Sequence, residues 1–368
     1  MGERPARVLQ VTGVGEVVIA EEPQPPVADG GFHVETLYSG LSAGTELSYV
    51  KGTNPYLSAG WDPVLGLFRA DRPATGYPVR RLGYMEVARV TESRTPELSP
   101  GQVVAMAYGH RTGYTADGVE DRFVPLPPEL DPLLGVYAAH MGPICANGLL
   151  HAAADLHGAD VRALGDGVRG RRVAVTGAGV VGLLTALFAR HHGAEAVTVV
   201  DRTRARLECA GRLGLDTIAT DARDPALTLK SRWRHSAGDR GADVVFQCRG
   251  RAEALHLALR LLRPQGTVVD LAFYQEGAAS LRLGEEFHHN GLSIRCAQIG
   301  RVPRGLAHLW SRERLSAETL DLLRARGDAV RRHLITDLVP FDDAPRFLAA
   351  LADRRRHAIQ AVFDMTRG

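Results

Sequence analysis

The sequence predicts an α/β protein in which a doubly wound parallel sheet is joined to a second, irregular β-rich domain. Three observations carry this prediction. Residues 171–182, RRVAVTGAGVVG, read as a short apolar strand that turns through three glycines into an apolar helix at 183–190. Strands and helices then alternate as far as residue 299, the pattern of a parallel sheet covered by helices. The first third instead holds short strands between Gly/Pro breaks, with no sustained helical period.

Bulk properties bound the answer. With 368 residues the chain is long for one domain, and two are expected. Hydrophobic residues make up 45%, ordinary for a globular protein, and the formal charge of +2 argues neither for nor against an anionic partner. Arginines cluster at Arg69, Arg72, Arg80 and Arg81 and again at 354–356, but aromatic residues are too sparse to interleave with them. Solvated faces are expected, and no nucleic-acid surface. Cys145, Cys209, Cys248 and Cys296 show no C-x-x-C spacing, so they read as buried free thiols of a reducing compartment. The first residues, MGERP, lack a signal-peptide apolar run, and no stretch reaches about 18 apolar residues. A soluble cytoplasmic protein without a membrane partner is the expectation.

The elements follow in order. Residues 7–11, 16–20, 33–39, 85–91 and 102–107 read as strands, the last entered through the turn Leu98-Ser99-Pro100-Gly101. From 133 to 157 small apolar residues set a helical pattern. Beyond the glycine turn, 196–200 is a strand ending on Asp201, 241–248 a buried strand, 252–262 an amphipathic helix, and 266–271 and 293–299 further strands. The tail adds a strand near 335–340, a helix at 344–354 and a strand at 359–363. The corresponding domains are 1–135, 136–300, and a return at 301–368 that packs on the first.

The glycine turn has a specific chemistry. Gly177 permits a tight turn, Gly179 lets the backbone approach a pyrophosphate, and Gly182 lets helix and strand pack closely. Amides of Ala178, Val180 and Val181 open the helix that meets the phosphate charge. Asp201 stands about 20 residues further on, where an acid accepts the ribose hydroxyls of NAD. Arg202, Arg204 and Arg206 follow and offer an alternative partner, the 2′-phosphate of NADP. Strand, glycines, helix, second strand and acid in register make a Rossmann dinucleotide site. NAD is favoured, and NADP stays open.

Four segments together carry a family resemblance: SGLSAGTE at 39–46, SPGQVV at 99–104, the glycine turn with Asp201, and GADVVF at 241–246 with RPQGTV at 263–268. In this order they resemble the medium-chain dehydrogenase/reductase superfamily over essentially the whole chain. The first segment looks most like the branch containing bacteriochlorophyllide-type dehydrogenases. The resemblance implies a GroES-like first domain completed by the C-terminal tail, and a homodimer formed through 293–299. It also implies a nicotinamide held after the 266–271 strand by Ala272, Phe273 and Gln298, with Phe273 and Tyr274 walling the ring.

The departures matter equally. Alcohol dehydrogenases of this superfamily hold catalytic zinc on a Cys, a His, and a Cys or Asp before the linking helix. Here those positions fall on Ser42, on Tyr84, and near Pro143, with Cys145 out of register, and no cysteine precedes Cys145. Serine, tyrosine and proline are not zinc ligands of that kind, so no metal site is expected. The proton chemistry then needs another donor. Tyr84 is the first candidate, or else it plugs the vacant pocket. Glu46 is the second, or else it caps a helix. His140 is the third, beside the third lost ligand. Tyr108 and Asn147 are weaker candidates, and His288-His289 is not expected to bind metal.

The leading expectation is a zinc-independent NAD(P)-dependent oxidoreductase interconverting a secondary alcohol and a ketone on a sugar, cyclitol or specialised metabolite, with the substrate between the domains. The segment 51–75 would form part of the entrance, with Trp61 covering the ligand, and Trp310 would line the pocket or a dimer contact. Two alternatives stay open: a reductase of activated C=C bonds from the quinone/enoyl branches, and a non-catalytic nucleotide-binding sensor or scaffold.

Overall fold

The structure is a computed structural model and describes residues 5–221 and 223–367; residues 1–4 of the N-terminal stretch read above lie outside them. The chain forms two compact units, residues 1–140 with 335–368, and residues 141–334.

The first unit is built on a seven-stranded sheet. Strands Phe32–Gly40, Glu86–Ser93, Val103–Met106 and Val124–Pro125 run antiparallel in that order, and Gly113–Ala116 pairs with Phe32–Gly40. The tail supplies the other side: Gln360–Asp364 pairs antiparallel with Phe32–Gly40, and Ile335–Pro340 adds parallel to it. The part of the expected return from Ile335 onward therefore completes this sheet. Strand alternation puts Phe32, Val34, Ala88, Val90, Val104 and Met106 into one apolar cluster. A second cluster gathers Leu9, Val11 and Leu41 against Phe341, Leu348 and Phe363 of the tail.

The second unit holds a six-stranded parallel sheet in the order Asp216–Ala219, Ala196–Asp201, Arg172–Thr176, Ala242–Gln247, Leu262–Asp270, Ser293–Cys296. The chain enters at Arg172–Thr176, winds outward to one edge, then crosses back and winds to the other. The order reverses between Arg172–Thr176 and Ala242–Gln247, and ligands of such sheets bind beyond the strands' carboxyl ends at that reversal. The strand Asp216–Ala219 and the helices Arg204–Arg212 and Pro225–Arg232 were not marked by the sequence pattern.

Several expectations shift. The helical pattern at 133–157 divides into a 3-10 turn, Pro132–Tyr137, and a helix, Met141–His157. Asp131 caps the turn, its carboxylate accepting from Leu133 N at 3.0 Å, and the turn packs on strands Phe32–Gly40 and Glu86–Ser93. This draws residues 136–140 into the first unit. Residues 301–334, expected with the tail, lie instead in the second unit. Their helix Arg312–His333 is strongly charged, yet buries Leu315, Leu322, Leu323 and Val330 and packs against Met141–His157.

Trp310 is neither a pocket wall nor a contact surface: it is buried, its Nε1 donates to Val161 O at 3.4 Å, and the Arg314 guanidinium lies 3.6 Å from its ring centre. Cys145 and Cys209 are buried thiols as read, whereas Cys248 is half-buried and Cys296 exposed on the sheet-edge strand. The arginine clusters are largely ion-paired: Arg69 and Arg72 on Asp62, Arg355 on Asp353, Arg356 on Asp337. Segment 51–75 folds around a short hairpin, Gly60–Asp62 with Leu67–Arg69, in which Trp61 packs edge-on against Phe68. No helix among the described residues is long and apolar enough to cross a membrane.

Candidate functional site

In the first unit the expected residues converge on a buried polar cluster. Strand Phe32–Gly40 ends in Ser39-Gly40, and the chain then turns at Ser42 into the helix Ala43–Val50. Glu46, in that helix's first turn, reaches back so that its Oε1 accepts from Ser42 N at 2.6 Å. Its other oxygen, Oε2, lies 2.6 Å from His110 Nε2. His110 Nδ1 lies 2.5 Å from Ser39 Oγ, whose hydroxyl donates to Glu86 Oε1 at 2.8 Å. Glu86 Oε2 accepts from Tyr108 N at 2.8 Å.

Both ring nitrogens of His110 thus face acceptors, which assigns the doubly protonated imidazolium. Burial alone would lower its pKa, but the charge and hydrogen bond of Glu46, with the charge of Glu86, outweigh it and raise the value above the ordinary 6.5. Burial raises the pKa of Glu86, against His110, Ser39 and two backbone amides. The chain approaches this imidazole so closely at Gly83 that an added Cβ would stand 2.7 Å from Cε1, and Gly83 has φ +100°.

Directly after Gly83, Tyr84 Oη hydrogen-bonds Ser42 Oγ, and the Tyr84 ring packs on that of His140, centroids 4.5 Å apart and tilted by 54°. Tyr84 and His140 are half-buried while Ser42 lies beneath. The three catalytic candidates Tyr84, Glu46 and His140 therefore belong to one neighbourhood, joined through Ser42. Glu46 both ties the helix start and holds His110. Tyr108 joins the cluster only through its backbone N–H: its side chain is buried with Oη 2.7 Å from Thr36 Oγ1 and stacked on Tyr114.

His110, Ser39 and Glu86 escaped sequence reasoning. The only signal available was a histidine between Gly109 and Arg111 entering a strand-rich segment, and nothing in spacing links it to Glu46.

In the second unit the glycine turn sits at the carboxyl end of the entry strand. Gly177 has φ +100°, and a Cβ on Gly182 would collide with the Gly177 carbonyl oxygen. A Cβ on Gly179 would meet nothing within 4 Å, so open space stands over the middle of the turn, as a pyrophosphate requires. The helix Val180–His191 follows, with Gly179 as its N-cap. These residues fit a dinucleotide.

Asp201 is buried, and its two oxygens are already engaged: Oδ2 accepts from Ala178 N at 2.9 Å and Oδ1 from Thr203 N at 2.7 Å. At the next strand ends Thr176 Oγ1 donates to Gln247 Oε1 at 2.7 Å, Gln247 Nε2 donates to Tyr274 Oη at 2.9 Å, and Tyr274 donates to Asp270 Oδ2 at 2.7 Å. Asp270 Oδ1 accepts from Ala272 N at 2.9 Å.

Tyr274 is thus a strand-end tie, while Phe273 stays partly exposed beside it. Asn147 is buried and donates to the carbonyls of Gln298 and Arg301, each at 3.3 Å, so it fixes the segment expected to hold the nicotinamide amide. His288 and His289 are neighbours 5.4 Å apart, and no metal-sized group of ligands includes them among the described residues. The grouping of that size is His256, Glu285 and Glu286, whose carboxylates are taken by Arg282 and Arg260.

Residues 180–311, all within the second unit, match the zinc-binding dehydrogenase family. That match begins beyond Ser42 and Tyr84, so it carries no information on their ligand set. The chain is 31% identical over 223 residues to a D-guloside 3-dehydrogenase of Shigella flexneri, covering 60% of this chain and 59% of that protein. The chain thus spans about three-fifths of the length of that relative. Among solved structures, galactitol-1-phosphate dehydrogenase from Escherichia coli superimposes with TM-score 0.73 at 16% identity, covering 97% of this chain and 99% of that one. 2R,3R-butanediol dehydrogenase from Bacillus subtilis does so with TM-score 0.71 at 16% identity, covering 98% and 99%. Residues 180–311 thus match the zinc-binding dehydrogenase family, and nearly the whole chain, with its parallel sheet, glycine turn and tail-completed first unit, shares the fold of these solved dehydrogenases.

Proposed function

We propose that this chain is a zinc-independent, NAD(P)-dependent oxidoreductase that interconverts a secondary alcohol and a ketone on a sugar- or polyol-like metabolite. The observation that carries the reading is the Ser42–Tyr84 hydroxyl pair, held over the buried Glu46–His110 ion pair where superfamily alcohol dehydrogenases carry metal ligands. Two hydroxyls bonded to each other are a poor set for zinc, which takes thiolate, imidazole or carboxylate. They are a good set for moving a proton. The substrate class leans on the D-guloside dehydrogenase relative and the polyol dehydrogenase neighbours.

The cofactor, when bound, supplies the hydride chemistry. The amides of Val180 and Val181 and the glycines at 177, 179 and 182 would hold its pyrophosphate, whereas the Ala178 N–H, expected to join them, is spent on Asp201. Tyr84 gives its phenolic proton to the carbonyl oxygen as that oxygen gains charge, and takes it back in the oxidative direction. Ser42 orients the phenol through their shared hydrogen bond. Glu46 fixes Ser42 by accepting its backbone N–H, and His110 fixes Glu46. His140, against the Tyr84 ring, limits the ring's rotation.

A homodimer through the edge strand Ser293–Cys296 is part of the same reading. In the described sheet this strand has one neighbour, and Ile294 is exposed on it. Light scattering of the purified protein tests it.

The functional test is a turnover screen of the purified protein with NADH and NADPH against ketoses, simple ketones and enones, run beside Tyr84→Phe. Ketone reduction that falls by about 100-fold in the variant is the expected result. Reduction confined to enones, or ketone turnover that ignores Tyr84, overturns the reading.

A further inference from the structure

We propose that His256, Glu285 and Glu286 form a binding site for one divalent transition-metal cation of the zinc class. The site lies wholly in the second unit and shares no residue with the Ser42–Tyr84 pair. It is a structural clip between two elements and takes no part in the hydride or proton chemistry.

The helix Ala252–Leu261 carries His256, and the short helical turn Leu283–Phe287 packed against it carries Glu285 and Glu286. His256 stands one turn before Arg260 on the same helix face. Arg260 in turn reaches Glu286, its Nε 3.3 Å from Oε1. One ligand atom from each of the three residues lies within 4.8 Å of the other two. Ligands held about 2.0–2.2 Å from a tetrahedral zinc stand about 3.4 Å apart. Rotation about the glutamate side-chain torsions covers that difference.

A second observation is independent of this spacing. His256 Nδ1 and Glu286 Oε2 are both shut off from solvent, and neither has a hydrogen-bond partner among the described residues. Buried polar atoms in folded proteins are satisfied almost throughout, and an orphaned carboxylate oxygen is costly. A single cation bonded to both residues removes both penalties.

The neighbouring cations hold the carboxylates without filling them. Arg260 takes only Oε1 of Glu286, and its Nη2 is on Asp224 at 2.6 Å. Arg282 takes Oε1 of Glu285 at 3.2 Å. Lys230, whose charge also reaches Glu286, gives its Nζ to the carbonyls of Leu262 and Arg240. Outer hydrogen bonds of this kind regularly orient metal-binding carboxylates. The donor set names the class of metal. An imidazole with two carboxylates suits zinc and its neighbours, whereas magnesium and calcium take oxygen ligands alone. The Glu285 side chain is 48% exposed, so the metal has an entry path and a water can complete the fourth position.

The test is titration of the purified, chelator-stripped full chain with zinc in competition with a chromophoric chelator, and with cobalt(II), whose visible absorption reports coordination geometry. The expected result is one zinc bound per chain, a thermal midpoint raised by that binding, and a cobalt spectrum of the intense four-coordinate type. His256→Ala and Glu286→Gln should each weaken zinc by about 100-fold and Glu285→Gln by about 10-fold, while magnesium and calcium displace none. Each variant stripped of metal should melt with the stripped wild type, which separates a lost ligand from a lost fold. Three results overturn the proposal: no zinc retained against the chelator, zinc affinity unchanged in both His256→Ala and Glu286→Gln, or a weak six-coordinate cobalt spectrum. The last is read on the wild-type protein and needs no variant to fold.

Discussion

His110 Nε2 lies 2.6 Å from Glu46 Oε2, and neither residue exposes more than 2% of its surface. A buried pair of this kind is a poor source of net stability but a sensitive one to break, because removing one partner strands the other's charge. His110→Ala should therefore cost about 3 kcal/mol or more in the unfolding free energy. His110→Gln, which can still bridge Glu46 and Ser39, should cost less. Denaturant unfolding of the two variants checks the order.

The same pair gives a pH dependence whose sign is fixed. The folded-state pKa of His110 is raised above its ordinary 6.5, so the folded protein binds a proton the unfolded chain releases first. The stabilisation is fully present below about pH 6.5 and is lost as pH rises through the folded value. Glu86, also raised, acts in the same direction from the carboxylate range upward. Thermal unfolding should show a midpoint that falls above neutral pH, and His110→Gln should flatten that slope. An equal slope in both proteins would remove His110 as its source.

Two glycines separate fold from ligand. A Cβ on Gly182 would collide with the Gly177 carbonyl oxygen, whereas one on Gly179 meets open space. Gly182→Ala should lower the thermal midpoint strongly, by more than about 3 kcal/mol in stability. Gly179→Ala should melt like the wild type yet bind dinucleotide about 10-fold or more weakly, its methyl standing where the pyrophosphate approaches. Melting curves beside nucleotide titrations decide it.

Ser42→Ala removes the hydroxyl that orients Tyr84 without touching the Glu46–Ser42 backbone bond. It should lower kcat by about 10-fold, less than Tyr84→Phe, and leave nucleotide affinity unchanged. A larger effect for Ser42→Ala than for Tyr84→Phe would make serine the proton donor instead.

The second unit was legible because its signals are local. The glycines at 177, 179 and 182 and Asp201 lie within one strand–helix–strand stretch, and each chemical demand falls on a residue near in sequence. The seating of Asp201 was not legible, since its bonds to Ala178 and Thr203 depend on how two strand ends meet. The helix Arg312–His333 went unmarked because its charged residues obscure a thin apolar stripe. In the first unit position alone made Tyr84, Glu46 and His140 candidates, but gave no sign of the contacts that join them. Glu46 and His110 are 64 residues apart, joined only when strand Phe32–Gly40 brings Ser39 beside both Glu86 and the loop before Gly113–Ala116. A lone histidine between strands carries no spacing that reveals two carboxylates around it.

The most direct measurement is turnover by protein stripped of metal with a chelator, its zinc content measured, with Tyr84→Phe assayed in parallel on the same ketone. Metal-free wild-type protein should keep its full rate while Tyr84→Phe loses about 100-fold. Activity that disappears with the zinc and returns when zinc is restored would contradict the account.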